Sequence, residues 1–115
     1  MTEPSDQALA TRYRPQILAE LEDLRAASEA TAADRRPVEL DQQSVGRLSR
    51  MDALQNQAMA AGTEARRAAR SRALTAALSR IDEGEFGYCE DCGDFIGLAR
   101  LDLDPSVMRC VSCAG

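Results

Sequence analysis

Two cysteine pairs, Cys89-Glu90-Asp91-Cys92 and Cys110-Val111-Ser112-Cys113, stand seventeen residues apart in the last third of a 115-residue chain. No other feature restricts the fold as tightly. Two residues between cysteines let one tight turn present both thiolates to the same ion, and the longer interval lets the chain return to complete a tetrahedron. A chain this short buries a modest core, so a metal cross-link is a useful stabiliser. The competing reading is four free or disulfide-bonded cysteines. No charged n-region followed by an apolar h-region opens the sequence, so a cytoplasmic location is expected, and in that reducing compartment paired cysteines serve as metal ligands.

We therefore expect one structural zinc ion on Cys89, Cys92, Cys110 and Cys113. Four thiolates close the coordination shell and leave no position for water or substrate. The chain has no His, which removes the usual general base and any Ser-His or Cys-His nucleophile, so no enzymatic activity is expected. Gly93, just after the first pair, is expected to take a positive φ and let backbone amides turn towards the sulfurs.

The residues before the finger read as helix. Ala occurs twenty times and aromatics make up 3%, which suits elongated helices packed closely through small side chains. Leu9, Tyr13, Ile17, Leu21, Leu24 and Ala27 recur at helical spacing, giving a first helix over 6–32. Pro15 either begins its main segment or kinks it near the start. Asp34-Arg35-Arg36-Pro37-Val38-Glu39-Leu40 breaks the rhythm and marks a turn. A second helix over 41–82 then carries Val45, Leu48, Met51, Leu54, Ala58, Ala65, Ala69, Leu74, Leu78 and Ile81 on its apolar face. Asp41 is placed to cap it, Gly62 is tolerated inside it at a cost of about 1 kcal/mol, and Gly84 suits its C-terminal stop. At roughly 60 Å this helix must pack lengthwise on the first. The expected fold is mainly α: an antiparallel helical hairpin, or coiled coil, over 1–84 with its tip near 34–45, followed by a C4 zinc finger over 85–115.

The net charge of −5 conceals a gradient: −3 over residues 1–33, +4 over 34–80 and −6 over 81–115. Direct sequence-specific DNA binding is not expected of an acidic chain, and a protein partner is the better expectation. No run of about 18 apolar residues appears, so no membrane association is expected.

The run Gly84-Glu85-Phe86-Gly87-Tyr88-Cys89-Glu90-Asp91-Cys92-Gly93, then Ile96-Gly97-Leu98-Ala99-Arg100-Leu101, Pro105 and Cys110-Val111-Ser112-Cys113, closely resembles the DksA/TraR zinc-finger family. The resemblance implies a bacterial transcription regulator that acts as a monomer, binds RNA polymerase and inserts its coiled coil into the secondary channel. It also implies that acidic tip residues influence initiation, and many members act with the alarmone ppGpp in the stringent response. Fuller members carry an Asp-x-x-Asp-x-Ala tip pattern. Here Asp41 is followed at those spacings by Ser44 and Gly46, so Asp41 is the leading tip residue and Glu39 and Asp34 are weaker candidates. Asp41 reads equally as a helix cap.

Gly115 lies two residues after Cys113, so the resemblance implies a short member without the C-terminal helix of longer ones. Arg47, Arg50, Arg66, Arg67, Arg70 and Arg72 on the second helix are candidate polymerase or nucleotide contacts, with a solvated basic face as the alternative for each. Two other functions stay open: a zinc-ribbon module that binds nucleic acid, and a redox-sensitive zinc switch.

Overall fold

A computed structural model of the protein describes residues 3–35 and 47–114. Helix α1 spans Asp6–Ala30. Ser5 caps it: the Ala8 N–H donates to Ser5 Oγ at 3.1 Å and the Leu9 N–H to the Ser5 carbonyl at 3.0 Å. Asp6 in the first turn adds negative charge at the positive end of the helix dipole. The helix continues through Pro15, so Pro15 does not begin a separate segment. Its missing N–H removes one helical hydrogen bond, and burial of Leu9, Tyr13 and Ile17 on the flanking turns offsets that loss. After Ala30 the chain tightens into a 3-10 turn over Ala32–Arg35, so α1 ends two residues before the expected boundary.

Helix α2 spans Arg47–Glu83. It stops at Gly84, whose φ of +75° lets the chain reverse. The Glu85 N–H reaches back to the Arg80 carbonyl at 2.9 Å and the Gly84 N–H to the Ile81 carbonyl at 3.2 Å, the pair of bonds that defines a Schellman stop. Two short helices follow, α3 over Leu98–Leu103 and α4 over Val111–Ala114. Tyr88 and Phe95 form an isolated antiparallel bridge. Mainly helical structure and an antiparallel helical pair leading into a finger are thus as expected. Among the described residues, no helix is long and apolar enough to cross a membrane.

The contacts divide the chain into two units, Met1–Glu22 with Ser71–Gly115, and Asp23–Arg70. The first holds every buried hydrophobic residue among those described: Leu9, Tyr13 and Ile17 from α1, Leu74, Ala77 and Ile81 from α2, and Phe86, Cys89, Ile96 and Leu101 from the finger. Each large apolar side chain buried in this way is worth about 1.5–3 kcal/mol. Tyr13 and Phe86 pack with ring centroids 5.5 Å apart. The finger therefore shares its core with the two helix segments of its unit.

The second unit is held differently. Ser28 Oγ donates to both carboxylate oxygens of Glu64, at 2.7 and 2.9 Å. Arg67 Nη1 donates to Thr31 Oγ1 at 2.9 Å. The expected apolar face is displaced here: its Met51 and Leu54 are 58% and 48% exposed, as is the neighbouring Met59 at 65%. The less exposed positions include Ala53, Gln57, Ala60, Glu64 and Arg67. Small and polar residues at helical spacing make up that side, so hydrophobic periodicity alone picks the wrong one.

Candidate metal centre

The first cysteine pair sits on a turn fixed by backbone bonds. Beside the Tyr88–Phe95 bridge, the Cys89 N–H donates to the Asp94 carbonyl at 2.8 Å, the Gly93 N–H to the Cys89 carbonyl at 2.9 Å, and the Ile96 N–H to the Gly87 carbonyl at 2.7 Å. Gly93 has the expected positive φ, +78°. The second pair begins at Cys110 and enters α4, where the Ala114 N–H donates to the Cys110 carbonyl at 2.9 Å. Between the pairs, the Glu90 N–H donates to the Met108 carbonyl at 2.8 Å, so the two knuckles are joined through the main chain.

The four sulfurs converge, all within 4.8 Å of one another. Cys92 Sγ and Cys110 Sγ are 3.7 Å apart. A tetrahedral zinc–thiolate centre with bonds of about 2.3 Å has S···S edges of about 3.8 Å, so this donor set fits a zinc ion. Cys89 is buried, Cys110 and Cys113 are partly buried and Cys92 is exposed, as at the edge of a small domain.

The thiols differ in acidity. Backbone hydrogen bonding from Cys110, then Cys92, holds the Cys89 thiol down at about 6, against the desolvation of its site. Hydrogen bonding with Cys110 first, then Cys89 and Cys92, pushes Cys113 in the opposite direction. A divalent cation at their centre favours the thiolate at every position and releases the remaining protons.

Two side-chain clusters of the first unit were not legible in the sequence. Arg109 Nε lies 3.0 Å from Glu90 Oε1 and 3.2 Å from Asp91 Oδ2, and its carbonyl accepts from Arg100 Nε at 3.0 Å. Glu90 first, then Asp91, holds the Arg109 guanidinium above its ordinary range. The signal was present: two acids lie inside the first C-x-x-C and one cation precedes the second. The other cluster joins α1 to α3. Arg12 donates to both oxygens of Asp102, with distances down to 2.8 Å, and the Tyr13 hydroxyl donates to Asp102 Oδ1 at 2.7 Å.

The remaining candidates stand apart from the cysteines in sequence. Asp41 and Glu39 lie outside the described residues. Asp34 falls in the 3-10 turn and Arg47 opens α2, with side chains outside the described set. Arg50 is partly buried in α2. Arg66 is exposed and donates to Thr63 Oγ1 at 3.1 Å. Arg67, with a side chain 23% exposed, is engaged with Thr31 and Glu64. Arg70 is partly buried in the second unit, and Arg72 is exposed in the first.

Residues 84–115 match the prokaryotic dksA/traR C4-type zinc finger. The chain is 40% identical over 40 residues to the RNA polymerase-binding transcription factor DksA of Haemophilus influenzae, covering 35% of this chain and 28% of that protein. It is 49% identical over 35 residues to the factor of the same name from Caulobacter vibrioides, covering 30% and 25%. The chain thus spans about a quarter of the length of the curated relatives it matches. The fold is similar to that of the transcription factor DksA2 from Pseudomonas aeruginosa, with a TM-score of 0.77 at 22% identity over 95% of this chain and 82% of the other. A matching finger over residues 84–115 and four converging thiols at the motif positions identify that segment as a C4-type zinc finger of the dksA/traR kind, on a chain whose fold is similar to that of DksA2.

Proposed function

We propose that this protein is a transcription regulator that binds RNA polymerase, enters its secondary channel with the helical hairpin and modulates initiation together with ppGpp. The observation that carries the reading is the shared core of the first unit. Phe86, Ile96 and Leu101 of the finger are buried with Tyr13, Leu74 and Ile81 of the helices, so a metal-bound finger holds the helix ends as a handle. The relatives named RNA polymerase-binding transcription factors support polymerase as the partner. In this reading one zinc ion on Cys89, Cys92, Cys110 and Cys113 is structural, and the protein is a regulator rather than an enzyme.

The effect on transcription is assigned to the tip, with Asp41 as the acting carboxylate and Glu39 and Asp34 beside it in sequence. The test is co-purification with core polymerase, followed by initiation at a ribosomal promoter in vitro with and without ppGpp. Binding at micromolar protein and a change in initiation are expected. Asp41→Asn should lower the transcriptional effect and leave polymerase binding largely intact. No binding and no promoter effect would sink the reading.

A further inference from the structure

The two cysteine knuckles are joined by backbone hydrogen bonds, from Glu90 to Met108 and from Cys110 to the Cys89 thiol, and by one cation. Glu90 and Asp91 are the two residues enclosed by the first C-x-x-C, and Arg109 immediately precedes the second. A zinc ion held by four thiolates leaves the cluster with a net charge of about −2, and the two enclosed acids add to it. Of the two cations between residues 81 and 115, Arg100 is directed at the Arg109 carbonyl and Arg109 at the acids. Its guanidinium spans both carboxylates, at 3.0 and 3.2 Å.

We propose that Arg109 is a positioning residue for the metal: it clamps the knuckle of Cys110 and Cys113 onto the acids of the knuckle of Cys89 and Cys92, and so slows zinc release. This rests on the zinc assignment above. Opening the cluster requires the knuckles to part, and with Arg109 in place that motion also separates a cation from two anions. With a neutral residue there, the acids meet only the negative cluster. Partners outside the ligand shell tune metal affinity in this way. Because Arg109 is 53% exposed, its pairing is screened by water and salt, and the effect is modest.

The experiment follows zinc transfer from purified full-length protein to an excess of a chromophoric chelator, with far-ultraviolet circular dichroism as the check on folding. Arg109→Gln should speed transfer by about threefold to tenfold at low ionic strength. The gap from wild type should narrow at about 1 M salt, where screening is strongest. Glu90→Arg combined with Arg109→Glu should recover much of the slow rate, whereas Arg109→Glu alone should be the fastest. A wild-type rate in folded Arg109→Gln overturns the role, as does a gap that persists unchanged in high salt with no recovery in the charge swap. Wild-type protein that carries no zinc overturns the metal assignment itself, and the clamp with it.

Discussion

The Tyr13 hydroxyl donates to Asp102 Oδ1 at 2.7 Å, joining α1 to α3 across 89 residues of sequence. Tyr13 is fully buried, and Arg12 braces the same carboxylate from the surface. The ring packs in the apolar core while its polar end finds the one charged group that α3 turns towards it, which is how a buried tyrosine avoids an unsatisfied hydroxyl. A residue of the first helix thus helps set where the finger's helix lies.

Replacing Tyr13 separates the two contributions. Tyr13→Phe keeps the ring and removes the bond to Asp102, and should cost about 1 kcal/mol. Tyr13→Ala also leaves a cavity beside Phe86 and should cost about 3–5 kcal/mol. Urea unfolding of zinc-loaded protein measures both. Equal losses in the two variants would show that the hydroxyl, and not the packed ring, carries the stability.

The same pair makes a pH prediction. Desolvation first, then the hydrogen bond to Asp102, raises Tyr13 above its ordinary 10. The folded state therefore keeps a proton that the unfolded chain gives up. That part of the stability is fully present below pH 10 and is lost as pH rises through the higher folded value. Wild type should lose stability faster than Tyr13→Phe as pH increases beyond 10, and parallel curves would rule out Tyr13 as the titrating group.

Metal removal should act on packing more than on helix content. Cys89 is buried in the same core as Phe86 and Ile96, so free energy of zinc binding is also free energy of ordering that core. Stripping zinc with a strong chelator, or substituting Cys110→Ser, should lower Tm by more than Tyr13→Phe does. The near-ultraviolet signal of Tyr13 and Tyr88 should fade while most of the far-ultraviolet helical signal remains. An unchanged Tm after complete removal would mean that the finger is ordered without metal.

Several of these features were legible in the sequence because each depends on local chemistry. Cysteine spacing forecasts the converging thiols, since two-residue gaps fix the knuckles, and Gly84 forecasts the helix stop. The Arg12–Asp102 and Arg109–Glu90 pairs were not forecast, because they depend on which surfaces meet after folding. The seam of the second unit was missed for a different reason. Its inward side carries Gln57, Glu64 and Arg67 while Met51 and Leu54 are exposed, so the usual link between apolar and buried fails there. Of the two readings of Pro15, the start of a separate segment fails because α1 runs through it, with Tyr13 and Ile17 buried on either side.

The arginines of α2 can be sorted by the same contacts. Arg67 donates to Thr31 Oγ1 at 2.9 Å and lies 3.5 Å from Glu64. Glu64 in turn accepts from Ser28, so Arg67 belongs to a polar network that joins the helices of its unit. Arg67→Ala leaves Glu64 without one of its donors and should destabilise the protein by about 1–2 kcal/mol. Arg66 and Arg72 are exposed, and their alanine variants should stay within about 0.5 kcal/mol of wild type. If Arg66 or Arg72 contacts polymerase, its substitution should weaken binding at unchanged Tm, and increasingly so at low salt, where a surface charge acts most strongly. For Arg67 the loss of binding should follow the loss of stability, and Thr31→Val should reproduce part of both. Measuring Tm and polymerase affinity on the same four variants distinguishes the roles: weaker binding by Arg67→Ala at wild-type Tm would move Arg67 from the hairpin's internal network to its contact surface.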